Sequence, residues 1–162
     1  MPRSNRLYID HACYHIITRG NQKQIIFLDD QDFEKYLHIV RKAKRKYLIS
    51  IYAYCLMHNH VHLLIEPSNA KNISNFMHWV SRGFTAYFNM KYNKVGHLWQ
   101  GRFISKPILK GLYLLQCAEY IENNPLRSGV ANNLMYYEWS SYKERNMTDK
   151  TSLLDPWGQV QS

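Results

Sequence analysis

The chain has 162 residues, 46% hydrophobic and 14% aromatic, which is too apolar for intrinsic disorder and suits a single domain around one core. Its 21 Lys and Arg against 12 Asp and Glu leave a net charge of +9, so a polyanionic partner is expected, with nucleic acid, acidic proteins and lipid surfaces all open. Cys13, Cys55 and Cys117 lack CxxC spacing and argue against a disulfide framework or thiolate zinc site, while the absence of a membrane-length apolar run or a secretory start predicts a cytoplasmic protein.

Residues 11–18, rich in aromatic and β-branched types and followed by Arg19-Gly20-Asn21, predict a first strand and a turn. Asp29 and Asp30 precede Phe33, Tyr36, Leu37 and Val40, a helical spacing, and Arg41 to Lys46 place positive charge at the far end, where the helix dipole favours it. Residues 50–57 and 61–66 predict an antiparallel hairpin. Ile73, Phe76, Met77, Val80, Phe84, Tyr87 and Phe88 then give one apolar face to a helix between about Lys71 and Tyr92. Arg102 to Leu109, interrupted by Pro107, predict an edge strand, and a last clear helix runs from about Gly111 to Asn124, stopped by Pro125. The order β-α-β-β-α-β-α implies an α+β, ferredoxin-like antiparallel sheet with helices packed on one face. After Asn132 the signals weaken; the core is expected over about 11–142 and a tail over 143–162 of a single domain spanning 1–162.

Residues two apart on a strand share a face, so His60 and His62 project together, opposite Val61, Leu63 and Ile65. Two adjacent imidazoles suit a divalent metal; they equally suit a pair of surface or core histidines satisfied by hydrogen bonds. On the last helix Tyr113, Cys117, Tyr120 and Asn124 fall on the face opposite Leu114, Ala118 and Ile121. If that face lies over the histidines, Asn124 can supply an oxygen ligand and Tyr120 can attack a phosphate; otherwise Tyr120 is a packing residue. His97, Trp99, Gln100 and Arg102 combine an aromatic ring with polar and cationic groups, as a strand-binding loop requires, although Trp99 and Phe103 also suit a role in pinning that loop to the core. Arg19 and Asn21 are further candidate DNA contacts. His58 is either an outer-shell group or a turn residue, and Glu66 shares the histidines' parity at the strand end.

Arg19-Gly20-Asn21, the run Met57 to Leu64 around His58-Asn59-His60-Val61-His62, Gly96 to Phe103, Tyr120 to Pro125 and Glu138 to Tyr142 occur in an order that closely resembles the REP-associated tyrosine transposases. These form a single-tyrosine branch of the HUH superfamily, related to insertion-sequence transposases. The resemblance implies a ferredoxin-like core in which His60 and His62 bind Mg2+ or Mn2+, Tyr120 on a C-terminal helix is the nucleophile and Asn124 is the third ligand, where relatives often carry glutamine. It implies cleavage of single-stranded DNA beside hairpins through a 5'-phosphotyrosine, no nucleotide cofactor, a nucleoid-associated location, and either a homodimer or a monomer. The alternatives are a catalytically silent hairpin-binding regulatory protein and a metal nuclease in which water attacks and Tyr120 packs.

Overall fold

The computed structural model describes residues 8–9, 12–147 and 153–156. Residue 11 of the expected first strand, the start of the chain at 1–7, and residues 148–152 and 157–162 of the expected tail lie outside them.

Four strands, β1 (Cys13–Arg19), β2 (Ile49–Met57), β3 (His60–Pro67) and β4 (Ile104–Ile108), form one antiparallel sheet in the order β2-β3-β1-β4. This is the split βαβ arrangement expected from the element order: α1 (Asp30–Tyr47) joins β1 to β2, and α2 (Asn72–Tyr92) joins β3 to β4. β2 and β3 meet through the tight connection His58-Asn59, and β4 lies at the edge, where Pro107 costs no interior ladder bond.

Local chemistry explains the helices. Asp29 and Asp32 cap the start of α1 reciprocally, and Lys44, Arg45 and Lys46 occupy its last turn. Phe33, Tyr36, Val40 and Ala43 of α1 meet Ile73, Phe76, Met77, Val80, Phe84 and Phe88 of α2 over one face of the sheet. Asp32, fully buried, clamps the two helices by accepting from Tyr87 (2.8 Å), Tyr92 (2.5 Å) and Lys91 (2.9 Å).

The helices do not all share that face. α3 (Leu112–Glu122) lies on the other side, where Leu114, Ala118 and Ile121 pack with Cys13, Cys55, Met57 and Leu64 in a second apolar cluster. A bulge between Ile51 and Ala53 turns both Tyr52 and Ala53 toward this side, while Ile51 and Tyr54 face α1 and α2. Gly111, at φ 90, supplies the positive-φ turn from β4 into α3.

The region beyond Asn132, where sequence signals fade, closes the exposed edge of β2. Leu56 N–H donates to the Trp139 carbonyl (2.7 Å) and Tyr54 N–H to Ser141 Oγ (2.9 Å). Ile51 N–H donates to Asp155 Oδ2 (2.8 Å), so residues 153–156 satisfy another stretch of the same edge. Helix α4 (Asn124–Arg127) follows α3, and α5 (Ser141–Asn146) packs beside it: buried Glu122 accepts from Ser141 Oγ (2.7 Å) and Arg145 (2.8 Å), which fixes the end of α3. No helix among the described residues is long and apolar enough to cross a membrane.

Candidate active site

Alternation along β3 sends Val61, Leu63 and Ile65 into the core beneath α1 and α2, leaving His60 and His62 on the α3 side with Leu64. The register Ile17↔His62 and Arg19↔His60 puts Cys13, His15, Ile17 and Arg19 of β1 on that same side. Three imidazoles are thereby gathered: the His60 and His62 ring centres lie 5.1 Å apart, and His15 stacks on His62, also at 5.1 Å. His15 Nε2 is 2.8 Å from His62 Nδ1, and His60 Nδ1 is 2.7 Å from Asn59 Oδ1.

Burial favours the neutral form of all three rings. Burial is the main cause of lowering His62 to about 3, followed by His15, His60, Arg127 and Arg19; burial and then Lys106 lower His15 to about 4. His60 is shifted the same way by burial and Arg19. Neutral imidazole is the form that binds a metal. In His60 and His62 alike Nδ1 is engaged and Nε2 is the remaining nitrogen, the outer-shell arrangement that supports a metal-bound histidine. Asn124 adds an orphan: its Nδ2 is buried without a hydrogen-bond partner among the described residues. A half-turn of the amide exchanges that nitrogen for Oδ1, an oxygen donor suited to Mg2+ or Mn2+. Two imidazole nitrogens and an amide oxygen are donor types that a divalent cation takes. No cluster of three or more His, Cys, Asp or Glu arranged for a metal occurs among the described residues, and His15 cannot extend the pair through Nε2, which is turned onto His62.

Tyr120 stands on the flank of α3, 52% exposed, with its ring edge-on to His15 at 6.2 Å between centres. Tyr113 is exposed, and Cys117 packs against the second apolar cluster. The expected continuous helix from 111 to 124 requires correction. α3 ends at Glu122, and Asn124 opens the four-residue helix α4 with Pro125 in its first turn. Proline, lacking an amide hydrogen, starts a helix as readily as it stops one. The new turn brings Arg127 back over Tyr120, with its guanidinium carbon 3.7 Å from the ring centre.

The candidate DNA contacts divide between two places. Arg19 lies across from His60. Asn21, His97, Trp99 and Arg102 line a separate open groove of about 890 Å³ beside α2, together with His78 and Thr85. Gln100 is exposed, and its N–H donates to the Arg19 carbonyl (2.8 Å), joining the two regions through backbone. Trp99 is anchored: its indole N–H donates to the Ser81 carbonyl (3.2 Å) and its ring meets Tyr36 and Phe84. His58 is a turn residue beside Phe33 and the Phe27 carbonyl, and Glu66 is occupied by Tyr52 and Lys110.

Sequence reading missed His15, Lys106 and Arg127. His15 has the same odd parity as Arg19, but its meeting with His62 depends on β1 lying beside β3. Lys106 sits opposite His15 across the β1–β4 pair. Together Arg19, Lys106 and Arg127 make the surroundings of the imidazoles positive.

The fold is shared with a solved REP-associated tyrosine transposase bound to a REP hairpin: TM-score 0.76, 19% identity, covering 96% of this chain and 89% of that one. A structure described as a proposed transposase from Deinococcus radiodurans R1 aligns at TM-score 0.49 and 20% identity, over 75% of this chain and 97% of that one. No curated protein matches the sequence significantly. The family model described as "Transposase IS200 like" matches residues 8–124, a span that takes in His15, His60, His62, Tyr120 and Asn124, and the chain belongs to that transposase family.

Proposed function

We propose that this transposase cleaves and rejoins single-stranded DNA beside hairpins, with Tyr120 as nucleophile and His60, His62 and Asn124 as the ligands of Mg2+ or Mn2+. The observation that carries the reading is the meeting, within one chain, of the Tyr120 ring with His15, the direct hydrogen-bond partner of His62. It favours a site assembled without a second subunit. Hairpin DNA is supported as substrate by the REP hairpin bound to the structural neighbour and by the net charge of +9.

Tyr120 Oη attacks the phosphorus of a phosphodiester, forming a new P–O bond as the bond to the 3'-oxygen breaks. The phenolic proton is balanced by the proton gained at the departing 3'-oxygen. The 5'-phosphate stays on Tyr120 and the other fragment leaves with a 3'-hydroxyl. Attack by a 3'-hydroxyl on the phosphotyrosine runs the same exchange backwards and rejoins DNA, with no nucleotide cofactor consumed. A cation at this site supplies charge stabilisation to the phosphoryl oxygens. Arg127 holds the Tyr120 ring and brings a second positive charge, while Arg19 and Lys106 extend the positive field that attracts the strand. Arg102, His97, Asn21 and Gln100 hold the strand along the groove and the adjoining loop, with the anchored Trp99 forming part of the wall.

A 3'-labelled hairpin oligonucleotide incubated with the protein and Mn2+ is expected to give an SDS-stable labelled adduct that Tyr120→Phe abolishes. Cleavage without an adduct would instead identify water as nucleophile. Binding with neither product, across hairpin substrates and metals, would identify a silent hairpin-binding protein.

A further inference from the structure

We propose that His15 is a positioning residue for the metal site: its Nε2 accepts the Nδ1–H of His62 and thereby holds His62 in the tautomer whose Nε2 keeps its lone pair. The inference rests on the reading of His62 as a metal ligand and adds a role for a residue outside the ligand set.

A neutral imidazole carries one proton on two nitrogens, so the 2.8 Å contact between His15 Nε2 and His62 Nδ1 has two possible arrangements. If His15 donates, His62 Nδ1 is the acceptor, its own proton must sit on Nε2, and that nitrogen has no lone pair for a cation. If His62 donates, its Nε2 is free of a proton and His15 carries its own on Nδ1. Only the second arrangement makes His62 a ligand. The neighbouring histidine has a simpler support, because Asn59 Oδ1 can only accept, which fixes His60 as the Nδ1–H tautomer. His15 does for His62 what Asn59 does for His60.

The geometry is specific to this task. His15 is 6% exposed and His62 5%, so water has little access to substitute as the acceptor. The two rings stack with an interplanar angle of 30°, and the other side of His15 meets Tyr120 edge-on. A histidine serving the core alone needs only some hydrogen-bond partner; this one is aimed at the ligand strand and touches the helix that carries the nucleophile. Its removal therefore disturbs metal affinity before it disturbs the fold.

The test uses 15N-labelled full-length protein, with Mg2+ for long-range proton–nitrogen NMR and Mn2+ for affinity by electron paramagnetic resonance. In the wild type loaded with Mg2+, the shared proton is expected on His62 Nδ1, with nitrogen–nitrogen coupling to His15 Nε2 across the bond. His15→Phe keeps a ring against Tyr120 but removes the acceptor, and is expected to weaken Mn2+ binding by about 10-fold or more. His15→Gln restores a carbonyl acceptor and is expected to recover most of that loss, which a role in packing alone does not predict. A shared proton on His15 Nε2 in the loaded wild type, or unchanged Mn2+ affinity in folded His15→Phe, overturns the proposal. If His15→Phe does not fold, the wild-type proton position decides. Failure of Mg2+ to shift the ring nitrogens of His60 and His62 in the wild type overturns the ligand reading itself. Ligand shifts without dependence on His15 overturn only the role of His15.

Discussion

The guanidinium carbon of Arg127 lies 3.7 Å from the centre of the Tyr120 ring, although the two residues belong to different helices. Under the proposed mechanism such a contact would hold the phenol in place and keep a positive charge beside the attacked phosphate. Arg127→Ala is expected to slow single-turnover adduct formation on the order of 100-fold, the usual cost of removing one preorganised donor, with a smaller effect on DNA affinity. Arg127→Lys should fall between, since it keeps the charge and loses the planar guanidinium. Equal losses in binding and rate would reduce Arg127 to a general DNA contact.

Asn124 carries a buried amide nitrogen with no partner among the described residues, a costly state for a group meant only to pack. The proposed role as an oxygen donor to a cation would account for that cost. Asn124→Ala should weaken Mn2+ binding by about 10-fold while leaving the fold intact, and Asn124→Asp should match or exceed the wild type because a carboxylate is a stronger ligand for a hard cation. Calorimetric titration of the three proteins decides; an alanine variant with native affinity removes Asn124 from the ligand set.

Much of this arrangement was readable from residues alone. Strand alternation separates His60 and His62 from Val61 and Leu63, and the acidic start and basic end of α1 mark its direction. What escaped depends on long-range pairing. The turn of Arg127 onto Tyr120 follows from Pro125 starting a helix rather than ending the region, which local sequence leaves open. The His15–His62 contact needs the β1–β3 register, and the closure of β2 by Asp155 joins residues far apart in the chain through one carboxylate and one backbone N–H. Trp99 was open to two readings because an aromatic in a loop carries no sign of where its indole N–H points; in the fold it points to Ser81.

The buried imidazoles also set how the metal-free protein responds to acid. Folded His15 and His62 take up protons only near pH 4 and 3, whereas the ordinary value is 6.5. Below that ordinary value the unfolded chain binds protons that the folded chain does not, so the unfolded state gains. Stability from these groups is thus complete above pH 6.5 and declines as the pH falls through the interval down to about 4 and 3. Urea unfolding across that interval should show a falling midpoint, and His62→Asn should flatten the slope by removing one of the proton-binding differences. An equally steep slope in that variant would mean that His62 does not contribute to it.

The groove beside α2 makes a different demand, because His15, His60 and His62 are not among its lining. Arg102 lines it and is exposed, so its expected contribution is to phosphate contact rather than to chemistry. Arg102→Ala should weaken binding of a hairpin oligonucleotide and lower the slope of log affinity against log salt by about 1, the signature of one lost phosphate contact. At saturating DNA its rate of adduct formation should equal that of the wild type. Trp99→Ala should behave otherwise: with its ring partly buried against Tyr36 and Phe84, truncation removes those contacts and should cost about 2 kcal/mol of stability, measured by urea unfolding without DNA. An unchanged salt slope in Arg102→Ala would place the strand elsewhere, and the positive rim of Arg19, Lys106 and Arg127 would then be the surface to map by the same measurement.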